Sequence, residues 1–215
     1  MSSTTEKLVL ALEALKALQD DGRTAIRSAD LSRNQRECLR YHGFLQEVMK
    51  GWHIPTRPDV AAGNTAAWYA SYWLFCADYL NRRFGDDWCL SPEQSLLLHA
   101  GERAAPRQLA VRSPRGTNSI VALQCDTSIL AIKSQLPAVT LRTVLEGHRV
   151  LTLETALIQC SSLFYRQYPI IAQAILASLD DHTDLLRQLL AGRHTTIAGR
   201  LAGAFRAIGR TQQGG

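Results

Sequence analysis

Between Thr5 and Ile54 the spacing of apolar side chains changes from helical to alternating, with glycines at positions 22, 43 and 51. From Thr5 to Gln19, Leu8, Leu12, Leu15 and Leu18 recur at the three- and four-residue intervals of one helix face. Asp20-Asp21-Gly22 ends that helix, because glycine takes the left-handed stop conformation without a side-chain clash. A second, short helix is expected over Thr24–Ala29, with Ile26 turned inward. Ser32-Arg-Asn-Gln35 reads as a capping box: the serine hydroxyl accepts from the glutamine amide, and the glutamine side chain reaches back. It opens a third helix that runs to about His42 and stops at Gly43. Phe44–Met49 and Gly51–Ile54 then alternate as two short strands about a Met49-Lys50 turn, and Pro55 and Pro58 break the chain. Three helices and a hairpin in so short a span outline a winged helix-turn-helix, expected over residues 1–57.

A linker is expected from Thr56 to Asn64, after which the composition changes. Trp68, Tyr69, Tyr72, Trp73, Phe75 and Tyr79 crowd a helix of about residues 65–84, which Gly85 ends. Aromatics at helical spacing read as packing against another element or another chain rather than as a base-stacking platform. A strand near Trp88–Leu90 leads to Ser91-Pro92-Glu93-Gln94, a serine cap with proline at the first helical position. Further strands are expected over Gln108–Arg112, Ser119–Leu123, Ser128–Lys133 and Arg149–Leu153. Helices are expected at about 153–162, 170–178, 182–190 and 195–208. The fold class is therefore α+β: an N-terminal winged helix-turn-helix, then a mixed α/β domain over 64–210 with a small sheet and C-terminal helices. Residues 211–215, Thr-Gln-Gln-Gly-Gly, read as a disordered tail.

The formal net charge is +5, and its distribution matters more than its size. Residues 23–57 hold Arg23, Arg27, Arg33, Arg36, Arg40, Lys50 and Arg57 against Asp30, Glu37 and Glu47, so most of the surplus lies in one segment. With Leu31, Cys38 and Leu39 facing inward, Arg33, Arg36 and Arg40 form a stripe along the third helix, with Asn34 beside them. Arginine reads guanine edges or clamps phosphates, and asparagine reads adenine. Lys50, near the hairpin tip, is suited to a backbone phosphate or the minor groove. Arg33, Asn34, Arg36, Arg40 and Lys50 are thus the candidate contacts to double-stranded DNA. The competing reading is a solvated helix face, and Glu37 and Glu47 count toward it.

Several chemistries lack their residues. No His-Glu-x-x-His or His-x-Glu pattern, no Gly-x-Ser-x-Gly elbow and no phosphate-binding Gly-x-x-x-x-Gly-Lys loop occurs. In the strand over Asp126–Lys133 a metal-dependent nuclease would need a carboxylate where Ala131 stands. Neither a catalytic site, a metal site nor a cofactor is expected. Cys38, Cys76, Cys89, Cys125 and Cys160 form no Cys-x-x-Cys pair and read as reduced thiols. No run of eighteen apolar residues occurs, so no membrane span is expected. Met1–Glu6 lacks the basic-then-apolar order of a secretory signal, so a cytoplasmic location is expected.

The stretch Asp30–Gln35, with Gly43-Phe-Leu-Gln-Glu-Val-Met-Lys-Gly-Trp-His-Ile-Pro55, resembles the winged helix of AbiEi-type antitoxins. Ser91–Gly101, Pro106–Pro114 and Gly147–Leu157 resemble the helix, strand and strand-helix blocks of that family's second domain. Almost the whole chain is also similar to the region preceding the Fic domain in some bacterial Fic-family proteins, carried by Gly51–Gly101 and Thr196–Arg210. The His-Pro-Phe-x-x-Gly-Asn-Gly-Arg loop of those enzymes is absent, as is their inhibitory pattern of Ser or Thr, three residues, then Glu-Gly or Glu-Asn, since Arg142 stands at that spacing before Glu146-Gly147. AMP transfer is therefore not expected, and the chain reads as a stand-alone or truncated regulatory portion. The resemblance implies a DNA-binding regulator that represses its own promoter and opposes a toxin through the second domain. The other reading is a protein-interaction module that restrains or scaffolds a toxin without catalysis of its own.

Overall fold

A computed structural model describes residues 4–58, 65–179, 182–192 and 195–207. Most of the expected linker (56–64) and all of the expected tail (211–215) lie outside the described residues. The fold mixes helices with small sheets. It divides into two compact units, 1–88 with 105–109 and 115–132, and 89–104 with 110–114 and 133–215.

The first unit begins with α1 (Thr4–Asp20), which buries Ala11 and Leu15 and half-buries Leu8, Leu12 and Leu18. It ends as its sequence demands: Gly22 lies at φ 73, and the Arg23 amide donates to the Leu18 carbonyl at 3.0 Å. The next segment is a correction. Thr24–Ala29 is not a helix but β1 (Ile26–Arg27) followed by a 3-10 turn over Ser28–Asp30. Its amides are claimed from elsewhere. Those of Thr24 and Ala25 donate to the Asp78 carboxylate at 3.1 and 2.8 Å, and that of Ser28 donates to the Gly51 carbonyl at 2.9 Å. Ile26 and Arg27 pair with His53 and Trp52. A six-residue helix has too few internal bonds to compete with these partners.

α2 (Arg33–Tyr41) starts on the expected capping box, with Ser32 Oγ accepting from the Gln35 amide at 3.3 Å and Gln35 Oε1 accepting from the Ser32 amide at 2.9 Å. Leu39 is its buried anchor. The chain turns at Gly43, whose φ of 75 is left-handed and whose missing Cβ would lie 3.2 Å from Pro58 Cα. β2 (Leu45–Met49) and β3 (Trp52–Pro55) form the expected hairpin, with its turn at Lys50-Gly51 and a bulge between Glu47 and Met49. β1 adds to the far side of β3, giving the sheet order β1-β3-β2. Ala11, Leu15, Ile26, Leu31, Leu39 and Leu45 make one core under these elements.

α3 (Ala66–Phe84) follows. Trp68, Tyr72, Phe75, Tyr79 and Phe84 are buried along it, so the aromatic run is core, with Tyr69 left 47% exposed. Trp52 of the hairpin sets its ring edge-on to Tyr79 at 5.0 Å, and the Arg82 guanidinium lies 5.9 Å from the Trp52 ring.

β4 (Cys89–Leu90) and α4 (Pro92–His99) open the second unit, the helix capped by Ser91 with Pro92 at its first position. β5 (Gln108–Ser113) carries the chain from the first unit into the second, where Leu90 pairs with Val111. β6 (Ile120–Ala122) and β7 (Ser128–Lys133) pair antiparallel, Val121 opposite Ile129, as a hairpin that belongs to the first unit but for Lys133. Ala131, the position checked for a nuclease carboxylate, is buried on β7.

Beyond β7 a hairpin of β8 (Arg142–Leu145) and β9 (His148–Leu151) turns on Glu146-Gly147, both at positive φ. β8 has no counterpart among the expected strands. α5 (Leu153–Gln159), α6 (Ser162–Gln167), α7 (Pro169–Ala177), α8 (Thr183–Ala191) and α9 (Thr195–Ala207) complete the chain. Leu96, Leu151, Leu157, Phe164, Ile175 and Leu185 are among the residues of the core they share. On α4, Ser95 Oγ and His99 Nε2 grip the amide and the carbonyl of Leu151, at 3.1 and 2.8 Å. Both residues hold the fold together. The five cysteines are free thiols, with Cys76, Cys89 and Cys160 buried. Among the described residues no helix is long and apolar enough to cross a membrane.

Candidate nucleic-acid interface

α2 is amphipathic because Leu39, with half-buried Cys38 and Gln35, faces inward while Arg33, Asn34, Glu37, Arg40 and Tyr41 are exposed. The five candidate residues do not share one environment. Arg33 is 82% exposed along its side chain, and its Nε donates to Glu37 Oε1 at 2.8 Å, one helical turn on. Asn34 is exposed beside Tyr41, itself 86% exposed. Arg40 lies on the same face as Arg33, half-exposed, with Nη2 3.9 Å from Glu47 Oε2 of β2. Lys50 is exposed at the turn joining β2 to β3.

Arg36 differs. Its Nη1 donates to the carbonyls of Ser28, which opens the 3-10 turn preceding α2, and of Leu31, which follows that turn. The guanidinium is half-buried there and ties the turn to the helix. Structure thus leaves Arg33, Asn34 and Arg40 on one face and turns Arg36 to its edge.

Charge on this face is mixed. The hydrogen bond from Arg33 and its charge hold the Glu37 carboxyl below the ordinary carboxylate range, with Arg36 and Arg40 adding to the effect. Reciprocally, Glu37 raises the Arg33 guanidinium. Behind the face, burial pushes the His53 imidazole below its usual value, against the opposing Glu47 charge and Ile26 backbone bond. Its buried Nδ1 has no partner among the described residues.

The face is held in place by a network that residue patterns alone did not single out. Asp30, its side chain 6% exposed, receives Arg82 Nη1 at 2.7 Å, the Arg27 amide at 3.0 Å and Arg27 Nη2 at 3.3 Å. Arg23 Nη1 stands 3.8 Å away, and Arg82 Nε also lies 3.6 Å from Asp78. Burial disfavours the Asp30 charge, but the Arg82 bond, the Arg27 amide and both guanidinium charges outweigh it and hold the carboxyl below its usual value. Asp78 in turn accepts the Thr24 and Ala25 amides. Arg82 therefore fastens α3 to the turn entering α2. Its one visible signal in the sequence was a basic residue in the last turn of the aromatic helix.

Between α1 and α2 runs a groove of about 580 Å³, lined by Lys7, Leu10, Asn34, Cys38, Tyr41 and His42 among others. Among the described residues no group of three or more His, Cys, Asp or Glu side chains could hold a metal ion.

No protein-family model and no curated protein sequence matches the chain. Among solved structures it is similar to the RV2827C protein from Mycobacterium tuberculosis, at 18% identity and a TM-score of 0.58. The match covers 95% of this chain and 78% of that one. At that identity the likeness concerns the fold alone.

Proposed function

We propose that the chain is a DNA-binding transcriptional regulator of antitoxin type, whose first 57 residues act as a winged helix. The observation that carries this reading is α2 itself: a capped helix with Arg33, Asn34 and Arg40 exposed on one face, followed by a hairpin with exposed Lys50 at its tip. Two further features support it. Arg36 and Asp30 hold the 3-10 turn over Ser28–Asp30, which takes the place of the expected second helix, against α2 and α3 and so fix the entry to α2. β1 joins the hairpin as a third strand, giving the wing a rigid root. In this reading α2 enters a major groove, Arg33 and Arg40 meet guanine edges or phosphates, Asn34 meets adenine, and Lys50 meets the flanking backbone. Arg36 serves by positioning the helix. Autorepression and opposition to a toxin by the domain over residues 64–210 follow from the resemblance to AbiEi-type antitoxins.

Fluorescence anisotropy with duplex DNA from the region upstream of the coding frame tests the reading. Arg33→Ala and Arg40→Ala should each weaken binding about tenfold with an unchanged melting temperature. Equal affinity for both variants and the parent would remove α2 from the interface.

The second reading, a module that binds a toxin without catalysis of its own, is favoured by the groove between α1 and α2, where Leu10 and Tyr41 stay exposed. Nuclease-insensitive association with the product of an adjacent reading frame, lost in Leu10→Asp with DNA affinity unchanged, would decide for it.

A further inference from the structure

At about 100° per residue the exposed face of α2 has a definite centre. Arg33 and Arg40 fall on one side of it, Asn34 and Tyr41 on the other, and Glu37 falls midway between the pairs. A face built to grip phosphates would not place a carboxylate there, because Glu37 would repel the backbone that Arg33 and Arg40 attract. Yet Glu37 is neither withdrawn nor buried. Its side chain is 59% exposed, and Arg33 Nε holds Oε1 at 2.8 Å, leaving Oε2 free to accept a further bond. An ionised carboxylate is an acceptor only. In a major groove its partner must be an exocyclic amino group, and the pairing suited to its geometry is with the N4 amino group of cytosine.

Resting on the DNA-binding reading above, we propose that Glu37 is the specificity-determining residue of this face. It accepts a hydrogen bond from a cytosine amino group, oriented by Arg33, and penalises every site that offers no donor at that position. Phosphate backbone and acceptor-only base edges leave Glu37 Oε2 desolvated and without a donor. Glu37 thus lowers affinity for random DNA more than it lowers affinity for the cognate site. Asn34 and Tyr41 flank it on the side away from the arginines, so the base read by Glu37 lies between an arginine-contacted and an asparagine-contacted position.

The test begins by selecting duplexes from a randomised pool with the full chain. Affinities of the chain, Glu37→Ala and Glu13→Ala are then measured for the selected duplex, for a scrambled duplex, and for selected duplexes with each cytosine changed in turn to thymine. Glu13 is exposed on α1, and its substitution removes the same charge away from α2. For the parent chain, one cytosine-to-thymine change should weaken binding about tenfold. For Glu37→Ala that discrimination should vanish while the scrambled duplex binds several-fold tighter. Glu13→Ala should keep it. Should the parent bind DNA but Glu37→Ala discriminate as before, or Glu13→Ala lose discrimination equally, the role of Glu37 is overturned and DNA binding stands. Should the parent select no duplex at low salt, the DNA-binding reading itself falls, and this inference with it.

Discussion

Asp30 illustrates how one short side chain decides a local conformation. It closes the 3-10 turn by accepting the Arg27 amide and receives Arg82 from a helix fifty-two residues later. Removing one partner of a largely buried ion pair leaves the other charge uncompensated, so Asp30→Asn should cost about 3 kcal/mol in urea denaturation. The pH dependence has a definite sign. Because the folded carboxyl lies below its ordinary value of 3.8, its contribution is complete above that value and disappears as pH falls through the lower folded one. The gap between the parent and Asp30→Asn should therefore narrow only in strongly acidic solution. A gap that closes already at neutral pH would show that another group is responsible.

His53 acts in a different window. Buried in β3 behind α2, it favours the neutral imidazole, so the unfolded chain takes up the proton first as pH falls below about 6.5. Stability should decline as pH falls from there through the lower folded value. In His53→Met that decline should flatten, which thermal melts between pH 5 and 7 would reveal.

At the scale of elements, the turn between α2 and the hairpin is the most constrained point. Gly43 combines a left-handed backbone with close approach of Pro58, so a side chain there meets both strain and contact. Gly43→Ala should lower stability by about 1–2 kcal/mol. Because the turn sets the angle at which the hairpin leaves α2, it should also weaken DNA affinity measured well below the melting temperature. Gly22→Ala offers the comparison: the same left-handed strain at the end of α1, open space around the added methyl, and no place near the hairpin turn. If both substitutions reduced DNA affinity alike, the hairpin angle would not be the cause.

Elements were also where local patterns served best. The ends of α1, α2, α3 and α4 and both strands of the β2–β3 hairpin follow from capping side chains, stop glycines and spacing of apolar residues. The failures share one cause. Thr24–Ala29 has helical composition but becomes β1 and a 3-10 turn, because β3 and Asp78 take its backbone groups. β8 has no alternating apolar signature, because Arg142–Leu145 is half-exposed and takes strand form by pairing with β9.

For the whole molecule, a net charge of +5 with most of its surplus between residues 23 and 57 sets the expected salt dependence. If Arg33, Arg40 and Lys50 each neutralise one phosphate, the logarithm of the binding constant should fall with that of salt at a slope of about −2.7. Raising salt from about 50 to 200 mM should then reduce affinity about 40-fold. Substituting any one of the three should shallow the slope by about one, whereas Arg36→Ala, a positioning change, should leave it alone. A slope near zero would exclude phosphate contacts by this face.

What the amino-acid order determined by itself was the local grammar: where helices start and stop, which faces are apolar, and which short segment carries the cationic surplus. Those properties depend on neighbours within a few residues, so they survive without the rest of the fold. Tertiary structure decided the remainder. It made a strand of an expected helix, turned Arg36 onto the Ser28 and Leu31 carbonyls, set Glu47 beside Arg40, and bound Asp30 to Arg82. Backbone and side-chain polar groups take whichever partner offers the best geometry once water is excluded. For β1 and for Asp30 that partner stood tens of residues away.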